Sequence, residues 1–369
     1  GPTGVLDGRI ESTGAMVSQL HAGVVRIGID PGDRDPHAHV AAYAARVRDF
    51  HRNGIRVLFD ITEGLVAIPT NPDGSGMYAH DSCSTDPRVA SLWTVGNTVH
   101  CGCDAACVSQ IETAWGIPGS GADYPSGSYM DRFRTALTAF VIDFGAGDPT
   151  ARPDEWEILN EPDNNLARAG HPYGTQLNVM VTGEILKIAR ATIDAANAQD
   201  QRAEQLAFGA LMASSAWRIT AASAILAGGP LFDHASYHVY VAPDRAVASV
   251  GSTVDEMAQG AGGKPMLVTE FGFTTTAPSG GHDAGSTAIG AFLAEAWRVR
   301  TELGRPLDAT MLFSWADGDG GPGVTLGAVD HTTVCPAQLP QRKAAFVAFA
   351  AVADSAQASV STPSCAACP

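Results

Sequence analysis

The feature that most constrains this chain is an alternation. Short apolar runs of strand length trade places with longer amphipathic runs of helix length, about seven or eight times. The strand-like runs are Val24 to Asp30, Ile55 to Thr62, Trp156 to Pro162, Leu206 to Ala213, Ala235 to Val241, Pro265 to Gly272 and Ala309 to Trp315, with a brief first strand expected near Thr3 to Leu6. The helix-like runs are Glu11 to Ala22, a segment stopping at Asn53-Gly54, then Tyr129 to Phe144, Thr182 to Ala198, Ala216 to Ala227, Val247 to Gln259, Ser286 to Leu303 and Pro340 to Ala353. Such alternation implies a parallel sheet covered by helices. A doubly wound open sheet usually carries a Gly-rich phosphate loop after its first strand, and neither G-x-G-x-x-G nor G-x4-G-K-[ST] stands in that setting. The expected fold is therefore α/β, a (β/α)8 TIM barrel, with residues 1–369 forming one domain.

One stretch breaks the rhythm. Residues 63–128, after the third strand, are rich in Gly, Pro, Ser and Asp and hold Cys83, Cys101, Cys103 and Cys107. A loop this long is expected to be functional or stapled. The other cysteines are Cys335, Cys365 and Cys368, the last two in a tail over 355–369. Cys-x-Cys-x3-Cys is poor zinc spacing, so disulfides in an exported protein are the expectation, with metal the alternative. Seven cysteines leave at least one thiol unpaired in a monomer. Cys365 or Cys368 is the natural spare, and Cys335 is expected to bond the other. The insertion also carries Tyr78, Trp93, Trp115, Tyr124 and Tyr129, which read as its private apolar cluster, with stacking on sugar rings the alternative.

Composition narrows the partners. A net charge of −16 argues against nucleic acid and anionic membranes. No apolar run reaches the ~18 residues of a membrane helix. No secretory leader stands at Gly1-Pro2, and with the cysteines the expectation is a secreted or extracytoplasmic monomer whose leader has been removed.

The chemistry gathers at strand ends. Trp156-Glu157-Ile158-Leu159-Asn160-Glu161-Pro162 is an apolar run closed by proline, which cannot extend a ladder, so a carboxylate beside an amide is left at a strand's C-terminal edge. Glu270 has the same setting in Met266-Leu267-Val268-Thr269-Glu270-Phe271-Gly272. In parallel barrels that edge carries the chemistry. Arg26, His238, Tyr240 and Trp315 also sit in or at the ends of apolar strands. Buried charges need partners, so these residues are expected to converge. Asp317-Gly318-Asp319-Gly320-Gly321 lacks the remaining ligands of a calcium loop. His37 and His39 with Asp33 and Asp35 read as capping and surface residues rather than a metal site.

Asn160-Glu161-Pro162, His238-Val239-Tyr240, Thr269-Glu270-Phe271-Gly272 and Trp315, in this order, resemble the signature of the clan A glycoside hydrolases. The resemblance spans roughly residues 24–318. It implies a (β/α)8 retaining enzyme with its acid/base glutamate, here Glu161, on strand 4 and its nucleophile, here Glu270, on strand 7. It further implies that Arg26 keeps Glu270 ionised, that Tyr240 donates to it, that Asn160 bonds the sugar 2-hydroxyl, that His238 bridges the surroundings of the acid, and that Trp315 floors the subsite of the reacting sugar. The run Trp-Glu-x-x-Asn-Glu-Pro is similar to family 39, and Asn-Glu-Pro-Asp to family 128. Asp60-Ile61-Thr62-Glu63 lacks the histidine that family 5 members place there. The implied activity is hydrolysis of β-linked sugars in a polysaccharide or oligosaccharide by double displacement, with no metal and no cofactor. A transglycosylase on the same scaffold and a non-catalytic carbohydrate-binding barrel are the alternatives.

Overall fold

A computed structural model describes residues 22–28, 40–70, 109, 112–118, 122–144, 146–163, 177, 179–212, 231–240, 250–255, 258, 261, 263–273, 281–312, 329–330 and 341–342. Seven strands form one sheet: β1 (Val24–Gly28), β2 (Arg56–Ile61), β3 (Glu155–Ile158), β4 (Gln205–Leu211), β5 (His234–Val239), β6 (Met266–Phe271) and β7 (Leu307–Leu312). They are ordered as in the chain, and every neighbouring pair is parallel. Residues of β7 and β1 also come within 8 Å of each other, Cα to Cα, so the sheet curls into a nearly closed barrel. The helices α1 (Val40–Arg52), α2 (Tyr129–Asp143), α3 (Val179–Asp200) and α4 (Gly281–Thr301) link consecutive strands. A two-stranded antiparallel pair, β8 (Val329–Asp330) with β9 (Gln341–Arg342), follows.

Alternation along each strand sends residues to opposite faces of the sheet. On β2, Val57, Phe59 and Ile61 join the large apolar core between sheet and helices, whereas Leu58 joins a small second cluster with Ala207 and Leu267, against which Ala309 packs. That small cluster belongs to the barrel lumen, and it separates two polar layers. Below it, at the strand starts, His234 Nδ1 lies 2.6 Å from Glu155 and its Nε2 lies 3.0 Å from Asp308. Above it lie Arg26, Asp60, Glu157, His238 and Glu270, toward the C-terminal ends of the strands.

The outer core is aromatic where β2 and β3 meet α1 and α2. Phe59 touches Tyr43, Phe144 and Trp156 at centroid distances of 5.4, 4.9 and 5.9 Å. Ser128 caps α2 by accepting the Asp131 N–H, and the Asp131 carboxylate accepts the Gly127 N–H in return. Trp115 and Tyr129 do not form a private cluster of the insertion. Both are buried in the main core, edge-to-face at 4.4 Å. The Tyr129 hydroxyl donates to Glu63 O at 2.7 Å and so ties the end of the insertion to its beginning.

The strand before Asn160-Glu161-Pro162 ends earlier than its sequence implies. It stops at Ile158 because Leu159 turns to φ 76°, outside extended space, although its N–H still donates to Ile61 O at 2.8 Å. Gln341 and Arg342, expected in a helix from Pro340, pair with Val329 and Asp330 instead. The first strand and helix, the helix over 216–227, Tyr78, Trp93, all seven cysteines, the histidines and aspartates over 33–39, and 317–321 lie outside the described residues. Among the described residues no helix is long and apolar enough to cross a membrane.

The aromatic wall makes a stability prediction. Phe59→Ala should cost about 3–5 kcal/mol, since it opens a cavity that Tyr43, Phe140, Phe144 and Trp156 border. Equilibrium denaturant unfolding would show a lower midpoint at unchanged slope.

Candidate active site

The site is built around Arg26, whose guanidinium projects from β1 into the lumen. Its Nη1 donates to Glu270 Oε1 at 2.6 Å and its Nη2 to Asn160 Oδ1 at 2.6 Å. Nη2 also lies 3.0 Å from Asp60 Oδ2, and Nε donates to Glu157 Oε2. One cation thus collects three carboxylates and an amide, supplied by β2, by β3 and the turn after it, and by β6. Burial works against its charge, but Asp60, Glu157 and Glu270 outweigh that cost and hold the guanidinium above its ordinary pKa. Arg26 is a fixed cation at any working pH.

Glu270 is the best-supplied carboxylate. Its Oε1 faces Arg26 and its Oε2 accepts the Tyr240 hydroxyl at 2.5 Å. Burial, and then the Glu270 carboxylate, push the Tyr240 hydroxyl far above the ordinary phenol value, so it remains a donor. Each Glu270 oxygen thus faces a hydrogen-bond donor. Tyr240 is 38 % exposed, so it reaches inward from the rim.

His238 joins the two predicted catalytic glutamates. Its Nδ1 lies 2.9 Å from Glu161 Oε1 and its Nε2 lies 3.4 Å from Glu270 Oε1. The ring is fully buried, so its orientation is set by packing. One oxygen from each glutamate and one His238 nitrogen lie within 4.8 Å of one another. Three such groups could share a divalent ion, although Arg26 and the Tyr240 hydroxyl already donate to both oxygens of Glu270.

Glu161 is not on a strand. It sits at φ 53°, two residues beyond the left-handed Leu159, in a turn that stores about 1–3 kcal/mol of strain per such residue. Two contacts from β4 hold the turn. Ala210 O accepts the Glu161 N–H at 3.2 Å, and Asp163 Oδ1 accepts the Met212 N–H at 2.8 Å. Ala210 can do this because β4 bulges between Phe208 and Leu211, with Gly209 at φ 97° and Ala210 at φ 39°. Buried Ser236 stitches that bulge from β5. Its hydroxyl accepts the Ala210 N–H at 2.7 Å and donates to Phe208 O at 2.9 Å.

The structure therefore brings together Arg26, Asn160, Glu161, His238, Tyr240 and Glu270. Trp315 lies outside the described residues. Sequence reasoning missed Asp60 and Glu157, although the signal was available: each is a charge in an apolar strand, in phase with the lumen. It also missed Ser236, whose role depends on a bulge that no local pattern announces.

This arrangement makes a prediction of its own. Arg26→Met should destabilise the fold by about 3–5 kcal/mol at neutral pH, because it strands buried carboxylates. Those carboxylates would then bind protons more tightly folded than unfolded, so stability must fall as pH rises. The loss should be smaller at pH 5 than at pH 8, as measured by denaturant unfolding at both.

No protein-family model and no curated protein sequence matches the chain. Solved structures do match. One is the GH1 β-glucosidase from Exiguobacterium antarcticum, with TM-score 0.61 and 12 % identity, over 95 % of this chain and 87 % of that one. Another is the family 1 β-glucosidase from Thermotoga maritima in complex with isofagomine lactam, with TM-score 0.55 and 12 % identity, over 94 % and 86 %. A third is a GH5_18 variant from Bifidobacterium longum subsp. longum in complex with Manβ1-4GlcNAc, with TM-score 0.57 and 13 % identity, over 96 % and 75 %. These neighbours are clan A glycoside hydrolases. At such identities the likeness is one of fold: this chain has the parallel barrel architecture of a TIM-barrel glycoside hydrolase.

Proposed function

We propose that the protein is a retaining glycosidase that cleaves β-linked sugars in a polysaccharide or oligosaccharide by double displacement. The observation that carries this reading is the facing of Glu161 and Glu270 across His238, with oxygens within 4.8 Å, at the C-terminal edge of a parallel barrel. Carboxyl groups ~5–5.5 Å apart belong to the retaining geometry, whereas inversion needs ~6.5–9.5 Å to admit a water. The fold neighbours support the same chemistry by analogy.

In this reading Glu270, held anionic by Arg26 and Tyr240, attacks the anomeric carbon. Glu161 gives its proton to the glycosidic oxygen as the C–O bond breaks, and the aglycone leaves as an alcohol. Water then enters, Glu161 takes a proton from it, and attack at the same carbon releases Glu270. The imidazole of His238, 2.9 Å from Glu161 through Nδ1, orients that carboxyl group through both steps. Arg26 takes the Asn160 amide oxygen, which leaves the amide NH2 as the group to donate to a sugar 2-hydroxyl. Trp315 remains the proposed floor of the reacting subsite. The protein works without a metal or organic cofactor, as a monomer outside the cytoplasm, on a neutral carbohydrate.

The deciding experiment is a panel of β-linked aryl glycosides and polysaccharides with product analysis. Turnover with retained anomeric configuration supports the proposal. Inverted products would refute the mechanism, and binding without turnover would favour a carbohydrate-binding barrel. Glu270→Gln should lower kcat/KM by about 10³-fold or more, because the nucleophile acts as a unit with its partners. Glu161→Ala should lose about 10²–10⁴-fold on substrates with poor leaving groups. On an activated aryl glycoside, external azide should restore its turnover.

A further inference from the structure

Arg26 is oversupplied with negative charge. One guanidinium meets Asp60, Glu157 and Glu270, and Glu63 adds a fourth carboxylate on the Asp60 side. All three carboxylates in contact with it are buried, at 5, 0 and 8 % exposure. Three ionised carboxylates on one buried cation leave two negative charges uncompensated in low dielectric, which costs several kcal/mol per ion. A second observation points the same way. Among the described residues, Asp60 Oδ1 and Glu157 Oε1 are buried with no hydrogen-bond partner. These two residues are register partners on β2 and β3. Their side chains therefore leave the sheet on the same face, and both reach the same guanidinium. A buried acceptor without a donor is costly. A single proton on this pair removes one of the surplus charges and turns one of the unpaired acceptors into a donor.

We propose that Asp60 holds that proton, shared with Glu157, and is thereby a positioning residue that governs how much of the Arg26 charge is left for Glu270. The proposal rests on the glycosidase reading only for its kinetic consequence. While Asp60 is neutral, Arg26 serves Glu157 and Glu270. Once Asp60 ionises, it competes for Nη2 and adds a negative charge beneath the site. The groups facing Asp60 are Arg26 from β1, Glu157 from β3, Glu270 from β6, and Glu63 from the turn after β2. Burial is the largest influence on it and raises its pKa. Arg26 opposes this and the three glutamates reinforce it, so the Asp60 carboxyl is pushed up to about 7. The added negative charge above that pH makes the proton of Glu161 harder to remove. Asp60 thus extends the alkaline range over which Glu161 stays an acid.

The test has two independent arms. The first is a carbon-13 NMR titration of carboxyl-labelled aspartates in the full chain. One resonance should titrate near pH 7 and vanish from Asp60→Asn. If every aspartate titrates below about pH 5, in the ordinary range, Asp60 is ionised and the proposal is overturned. This arm needs no activity, and the wild-type titration needs no variant to fold. The second arm is the pH profile of kcat/KM on a substrate with a poor leaving group. Asp60→Asn should move the basic limb down by about half a pH unit or more and leave the acidic limb in place, since the amide mimics the neutral carboxyl. A uniform fall at all pH values would mark Asp60 as merely structural. Absence of any wild-type turnover would refute the glycosidase reading and leave the NMR arm to decide this one.

Discussion

The buried guanidinium of Arg26 is the interaction on which the reactive end of the barrel depends. No carboxylate around it could stay ionised in the lumen alone, and Arg26 could not enter without them. Structural ion pairs usually balance one charge with one countercharge. Here one cation meets three anions, and the imbalance is what makes the cluster responsive. Glu270 draws part of the charge and accepts the Tyr240 hydroxyl, whereas Asp60 and Glu157 each keep a buried oxygen with no hydrogen-bond partner.

The architecture keeps this cluster isolated. A thin apolar layer of Leu58, Ala207, Leu267 and Ala309 separates it from the second polar layer, where His234 joins Glu155 and Asp308. The aromatic wall outside β2 and β3 fixes those strands from the opposite face. Asp60 and Glu157 are thus held by strands packed on both sides, which suits groups whose separation decides their charge. Rigid first neighbours of this kind are what catalysis by positioning requires.

Glu161 is held by different means. Its backbone is left-handed, and strain of that kind persists only where the surroundings over-determine it. The bulge of β4, pinned by Ser236, supplies that restraint through Ala210 and Met212. Glu270 stands within β6, whose register shifts against β5 and β7 around it, while Glu161 stands on a left-handed turn.

Seven strands, the helices between them and six of the residues that meet around Arg26 were legible in the amino-acid order alone. Those depend on local physics: apolar periodicity, proline and glycine at the ends, and the cost of burying a polar residue without cause. Arg26, Asn160, Glu161, His238, Tyr240 and Glu270 were legible because each interrupts an apolar strand or closes one. Glu157 and Asp60 carried the same signal and were passed over, because within a strand a charge at lumen phase looks like ordinary in-and-out alternation. Only the tertiary structure decided that Arg26 meets Glu270, that Asp60 and Glu157 compete for it, and that the chain leaves β3 at Ile158 rather than at Pro162. Those facts depend on barrel closure, strand register and a bulge in β4, the strand beside the one that carries Glu157. They join groups far apart in the chain, and no local pattern encodes a distance across a lumen.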